Sequence, residues 1–426
     1  MAITLHTTGA VDYPLSVYNS NSLRFTSNNA SIANIIYRVY DVTNAEYITP
    51  ELRQPPINTG SANFDIDISE LVQGAFRGYP TDHFYFYQGN SLTAGTDSNQ
   101  LVDSSWGMKQ FRIDYKEEEE GADGLLTSPA TLTTGETFFF IQSARQHNDY
   151  YNASQLNFYN YIITATQTQN KFFLTNMPHR VKIPVCDKNY DLHFSLFSIT
   201  KDSGAPNLQP KFSMSTGSFV GMSTTSGLQQ KIVGHKYSPA AINDISGFSG
   251  IDFDYRYKLT DGTNDLTEIY NFSMKRCNCK DVLSLMWINP YGVPDFFTFT
   301  GSTEKRAVAS SKMFRKYRGF RRSSNQGLLA GTNANTFNQP FGVNGKIDIT
   351  GNKRISVISQ IMQVEIAEWL TEILTSPRVS IISPDEPHVE PVIVTSNEME
   401  YKQENSGLVR ISFEMEFANP RITQRG

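Results

Sequence analysis

The sequence predicts a mainly β protein: two tandem β-sandwich-like domains, then a smaller α+β domain with one helix packed on a sheet. Three observations carry that expectation. Of the 426 residues only 19% are charged while 12% are aromatic, a balance that suits pleated, half-buried surfaces. Short runs of alternating apolar and polar residues recur along the chain, closed by Asn, Gly, Ser and Asp, as strands closed by turns would be. The clearest helical periodicity lies in QVEIAEWLTEILTSP, where Ile366, Trp369, Leu370, Ile373 and Leu374 recur at spacings of three and four. Pro377 stops that helix.

The elements follow in order. Residues 1–116 form the first β-domain, with strands in SLRFTSNN, IIYRVYDVT and HFYFYQGN. In NFDIDISELVQGAF, Phe64, Ile66 and Ile68 share one strand face and Asp65 and Asp67 the other. Ser69 then serves as N-cap of a short helix through Phe76. FRIDYKEEEEGADG leads from a strand into an acidic, glycine-containing linker over residues 117–134, where like charges favour solvation.

Residues 135–280 repeat the scheme, with strands in TFFFIQSARQ, KFFLTN, LHFSLFSIT, IDFDYRYKLT and IYNFSMKRC and a long polar loop in KDSGAPNLQPKFSMSTGSFVGMSTTSG. From 281 to 426 comes the α+β unit. LSLMWI and FFTFTG make a hairpin, a turn inside GKIDITGNKRISVIS joins two strands, and RVSIIS, PVIVTS and GLVRISFEMEF follow the helix.

The formal net charge of -5 makes no global case for nucleic acid or an anionic membrane. No apolar run approaches the length that spans a bilayer, and MAITLHTTGAVDYPLSV has neither the basic start nor the apolar core of a signal peptide. Cys186, Cys277 and Cys279 are too few for a disulfide framework, in keeping with synthesis in a reducing cytoplasm.

No catalytic or metal-ligating pattern stands out in the sequence. Cys277 and Cys279 share a strand face, but zinc takes four ligands, and two small strand residues are the simpler reading. His6, His83, His147, His179, His193, His235 and His388 show no ligand spacing. Gly247-Phe248-Ser249-Gly250 lacks the glycine spacing of a nucleophile elbow, and GLLAGTN lacks the Lys-Ser or Lys-Thr of a phosphate loop. Asp65 with Asp67, or Asp252 with Asp254, could do glycosidase work only across a cleft of roughly 5 to 9.5 Å. On strands whose other face is apolar they read as a solvent face. Glu117 to Glu120 with Asp123 lack the alternation of an EF-hand loop. No catalytic residue, cofactor or metal is expected.

One charged segment stands out. KRAVASSKMFRKYRGFRR carries Lys305, Arg306, Lys312, Arg315, Lys316, Arg318, Arg321 and Arg322 with no acid among them. Phe314, Tyr317 and Phe320 would let it stack on bases. Because the rest of the chain carries an excess of acids, an electrostatic assembly interface is preferred, centred on Arg315, Lys316, Arg318, Arg321 and Arg322.

The last third resembles structural proteins of tailed bacteriophages. MWINPYGVPDFFTFTG, AEWLTEILTSPRVSI, PVIVTSNEMEY and VRISFEMEFANP carry the likeness, nearest to distal-tail and baseplate proteins of phages infecting Bacteroidota. The group's Leu-Trp-Leu/Ile-Asn-x-x-Gly-x-x-Asp-x-(Tyr/Phe)-x-Phe stretch is matched by Met286, Trp287, Ile288, Asn289, Gly292, Asp295, Phe297 and Phe299. Met286 and Pro290 depart from it. FDIDISELVQGAF and FFLTNMPHRVKI are similar to segments of the same group.

The resemblance implies a non-enzymatic virion component made in the bacterial cytoplasm. It implies a tail or baseplate ring protein joining the tail tube to peripheral parts, a trimer or hexamer in contact with other virion tail proteins. A structural seam is then expected, with Trp287, Phe297 and Phe299 buried against the helix of Trp369 and Leu370 while 289–294 turns the chain. Two alternatives stay open: a neck or head-to-tail ring protein, and a receptor- or glycan-binding tail module using Tyr150, Tyr151, Tyr159 and Tyr161.

Overall fold

The computed structural model describes residues 3–6, 15–18, 22–29, 31–57, 62–76, 101–103, 108–141, 173–186, 195–199, 209–214, 217–221, 232–237, 253–275, 282–315, 344–382, 389–396, 399–405, 407–418 and 421–424. It is mainly β, with five sheets and three short helices among those residues. The first two sheets belong to the N-terminal part. Ser22–Ser27 lies between Ile3–His6 and Asn63–Asp67 in one. In the other, Met108–Glu120 lies between Ile32–Asp41 and Thr137–Ile141. Period-two alternation gives each sheet one apolar face. Leu23, Phe25, Phe64 and Ile66 from one meet Ile35, Val39, Phe111 and Phe138 from the other, and Val72 and Phe76 of the helix Ser69–Phe76 join them. That helix starts where expected, but Asp67 Oδ1 accepts from the Ser69 amide, so Asp67 supplies the cap contact.

The middle part holds a five-stranded sheet, with Phe253–Thr260 between Gln209–Met214 and Tyr270–Lys275, and a three-stranded sheet centred on Ile232–Lys236. Tyr255 stacks on Phe272 at 5.1 Å, and Phe272 on Tyr237 at 4.6 Å. The C-terminal part is one ten-stranded sheet that begins with Pro294–Phe299 and Leu283–Ile288 and ends at Thr303–Arg315. In its strand Leu408–Phe417, buried Val409, Ile411, Phe413 and Met415 alternate with polar neighbours.

Several expectations give way to long-range pairing. Glu117 to Glu120, expected to be a linker, complete the strand Met108–Glu120. Glu117 and Glu118 are buried there, accepting from Ser27 Oγ at 2.6 Å and Asn34 Nδ2 at 2.7 Å. Thr137–Ile141, expected to open the second domain, pairs instead with Met108–Glu120. Leu101–Asp103, expected in the first domain, pairs with Ile232–Lys236. The turn expected inside GKIDITGNKRISVIS is absent. Asn344–Ile358 is one 15-residue strand, continued across Gly351-Asn352 by its pairing with Thr303–Arg315. The expected long polar loop contains the strands Gln209–Met214 and Val220–Gly221. In KFFLTN the described residues 173–176 carry an isolated bridge, Phe173 to Ser198, rather than a strand. The C-terminal helix is two short helices, Val364–Leu370 and Glu372–Thr375, meeting at Thr371. HFYFYQGN lies outside the described residues. Where strands were expected, alternation identifies the strand but not its partner.

Candidate functional site

The strands Leu283–Ile288 and Pro294–Phe299 are buried at every position. A strand can bury both faces only when something covers each of them. On one face Trp287 lies opposite Asp295, Leu285 opposite Phe297 and Leu283 opposite Phe299. The connecting turn is written into its residues. The Gly292 amide donates to the Asn289 carbonyl at 2.9 Å, and the Asn289 amide to the Val293 carbonyl at 2.9 Å. Pro290 has the fixed φ suited to the first corner, and Gly292 adopts φ +82°, the left-handed conformation that closes a three-residue hairpin loop. Asn289 Oδ1 accepts from the Tyr291 and Val293 amides at 3.0 and 3.2 Å. Gly292→Ala is expected to cost about 1 kcal/mol through left-handed strain alone, read as a shift in urea midpoint with unchanged slope.

The seam residues occupy one cluster. The Trp287 and Trp369 ring centroids are 5.2 Å apart, and Phe297 meets Trp369 edge-on at 6.0 Å. Phe299 packs on Phe297 at 5.0 Å and on Phe413 at 5.6 Å, and Leu370 is fully buried in the same cluster. The helix presents Trp369 here because Ile366, Ala367 and Leu370 occupy its apolar side with it.

A contact that sequence reasoning missed sits at the centre. Asp295 is buried and accepts from Trp369 Nε1 at 3.1 Å and Thr175 Oγ1 at 2.8 Å. Burial raises its pKa to about 6, while donated hydrogen bonds from Asn289, Thr175 and Trp369 pull the other way. Residues 174–176 of the middle part are held one after another. Asn289 Nδ2 donates to the Leu174 carbonyl at 2.7 Å, Thr175 binds Asp295, and Asn176 accepts from the Tyr291 hydroxyl at 3.1 Å and donates to Glu372. The only sequence signal was Asp295 in the phage-like stretch; its partner Thr175 lies 120 residues away. Chemically the arrangement is a clasp between chain segments, buried at Thr175, Asn289 and Asp295 and half-buried at Asn176, Tyr291 and Glu372.

The other candidates separate. Arg315 ends the strand Thr303–Arg315 opposite Asn344, while Lys316, Arg318, Arg321 and Arg322 lie outside the described residues. Asp65 forms a two-pronged ion pair with Arg24 at 2.8 and 2.9 Å, which lowers its pKa. Asp254 is paired with Lys182, and Asp252 lies outside the described residues. Cys186 is disulfide-bonded; Cys277 and Cys279 are outside the described residues. The four tyrosines of the glycan-binding alternative are outside them as well. Among the described residues no group of three or more His, Cys, Asp or Glu could hold a metal ion, and no helix is long and apolar enough to cross a membrane.

One Ser–His contact is present. Ser198 Oγ lies 2.6 Å from His235 Nε2. His235 is fully buried with Nδ1 unpartnered, and burial lowers its pKa to about 3. A general base needs an orienting group and access to substrate, and this imidazole has neither.

No family model and no curated protein matches the chain. Solved structures give partial likenesses. A chain of the virion of a native gene transfer agent particle is 17% identical over 34% of this chain and 98% of its own, with a TM-score of 0.21. A chain of the tail of an empty gene transfer agent particle, of C6 symmetry, is 17% identical over 33% of this chain and 96% of its own, with a TM-score of 0.20. The BSP domain of a biofilm-associated protein is 9% identical over 83% of this chain and 65% of its own, with a TM-score of 0.19.

Proposed function

We propose that this chain is a non-enzymatic structural component of a tailed-phage virion, a tail or baseplate ring protein that joins the tail tube to peripheral tail parts. One observation carries the reading furthest. The residues that make the sequence phage-like have packing and turn-forming roles. Trp287, Phe297 and Phe299 fill the core, Asn289 and Gly292 shape the turn, and Asp295 ties the Trp369 indole to Thr175. A motif spent on internal packing suits a protein whose task is to hold shape within an assembly. The gene transfer agent likenesses agree in kind with this reading, but at their TM-scores they carry no part of it.

The test is the mass of the purified chain by native mass spectrometry over a range of salt concentrations. A closed trimer or hexamer is expected. A chain that stays monomeric at every concentration and turns over a glycan or peptide substrate would sink the proposal.

A further inference from the structure

Thr303–Arg315 is the last strand on the path of the ten-stranded sheet and pairs along its length with Asn344–Ile358. The second strand joins the rest of the sheet mainly through Arg354 to Ile358, which pair with Leu408–Phe417, and more lightly through Ile349 to Gly351, which pair with Arg421–Gln424. The remainder, down to the Arg315–Asn344 pair, is a narrow ribbon leaving the sheet. Over the ribbon residues 307–315 and 344–353 it carries four Lys and Arg against one Asp, and Lys305, Arg306 and Arg354 flank it where the strands enter the sheet, Arg306 paired with Glu304 and Arg354 with Glu416. The first 141 residues have the opposite balance, with 17 Asp and Glu against seven Lys and Arg. Glu46, Glu51, Asp67, Glu70, Glu120 and Asp123 are exposed there. The chain therefore carries a basic ribbon and an acidic N-terminal part, although its net charge is only -5.

We propose that this basic ribbon is an assembly arm and that its partner is the acidic N-terminal sandwich of a second copy of this chain. The inference rests on the homo-oligomeric reading above and names the two surfaces that meet. The contact is heterologous: a patch on one copy meets a different patch on the next, the geometry that generates rings when the rotation closes. Opposite charge steers such encounters and fixes their register more than it adds affinity. Salt screens it, since the Debye length falls from about 10 Å at 0.1 M to about 3 Å at 1 M. Charge on an edge strand also deters unwanted strand pairing, but that role requires no acidic partner, and the two are separable by experiment.

Two full-length variants test the assignment: Lys305→Glu with Lys312→Glu, Arg315→Glu and Lys346→Glu on the ribbon, and Glu46→Lys with Glu120→Lys and Asp123→Lys on the sandwich. All seven positions lie on surface or ribbon, and thermal melts confirm folding of each. Sedimentation at low and high salt is expected to show the parent oligomeric, with each variant weakened by about tenfold or more in dissociation constant. An equimolar mixture of the two variants is expected to associate again, because the reversed ribbon then meets a reversed sandwich. A ribbon variant that assembles like the parent overturns the arm and leaves the oligomeric reading standing. A parent that is monomeric throughout overturns both. A ribbon variant that loses affinity for a single-stranded oligonucleotide while its self-association is unchanged assigns the ribbon to nucleic acid and overturns the inference.

Discussion

Replacing Trp287 with Ala is expected to cost roughly 3 to 5 kcal/mol, the range for emptying a large aromatic site in a packed core. Its side chain is fully buried on a strand with both faces covered, and its ring lies 5.2 Å from that of Trp369. Little around it can collapse into the space, because Leu285, Phe297 and Leu370 are themselves fully packed. Trp369→Ala is expected in the same range, with an added term. It removes the Nε1 donor to buried Asp295, a group that already lacks solvent. Phenylalanine separates the two effects. Trp287 Nε1 is buried without a partner, so Trp287→Phe loses packing, breaks no hydrogen bond and removes an unsatisfied donor, which offsets part of the cost. Trp369→Phe loses packing and a hydrogen bond to a charged group, about 1.5 to 3 kcal/mol more. Urea denaturation of the four variants checks the order. Equal costs for the two Phe variants would remove Asp295 from the seam, and a cost under about 1 kcal/mol for either Ala variant would remove the seam itself.

The second expected result is a divided response to acid. His235 has a folded pKa of about 3, below its ordinary 6.5, because burial penalises the imidazolium. Its contribution to stability is present above pH 6.5 and is lost as pH falls through 3. Asp295 has the opposite sign. Its folded pKa of about 6 lies above the ordinary 3.8, again through burial. Its contribution is full below pH 3.8 and is lost as pH rises through 6. Each is worth several kcal/mol in order of magnitude at about 1.36 kcal/mol per unit, so between about pH 6 and 4 the two largely oppose each other. Asp295→Asn is expected to expose a loss of stability as pH falls through that window, and His235→Gln to reverse the sign, so that stability rises as pH falls. The readout is the slope of unfolding free energy against pH, which a uniform loss of stability does not change. Unchanged slopes in both variants would show that neither group titrates differently on folding.

The β class was legible because alternation is local. In GLVRISFEMEF the apolar positions fall two apart, and the structure buries Val409, Ile411, Phe413 and Met415. The hairpin at Asn289 to Gly292 was legible for the same reason, since turn residues act on their own backbone. What could not be read was partnership. Four consecutive glutamates look solvated until Ser27, Asn29 and Asn34, some 84 to 90 residues earlier, supply donors that let two of them be buried. Gly351-Asn352 looks like a turn until a 13-residue neighbour pairs across it. The helix of Trp369 shows its apolar stripe in sequence, yet the break at Thr371 arises where its hydroxyl bonds back to the Glu368 carbonyl at 2.7 Å.

The seam divides along the same line. Residue type and local pattern already place Trp287, Phe297, Phe299, Trp369 and Leu370 as apolar residues on a hairpin and a helix. They also place a basic strip after an acidic N-terminal part. Folding alone brings Asp295 between Trp369 and Thr175, and clasps residues 174–176 to the C-terminal part. The physical reason is range. Propensity and periodicity act over a few residues along the chain. Buried hydrogen bonds and ring contacts are satisfied by whatever the fold brings within a few ångströms, here across as many as 120 residues.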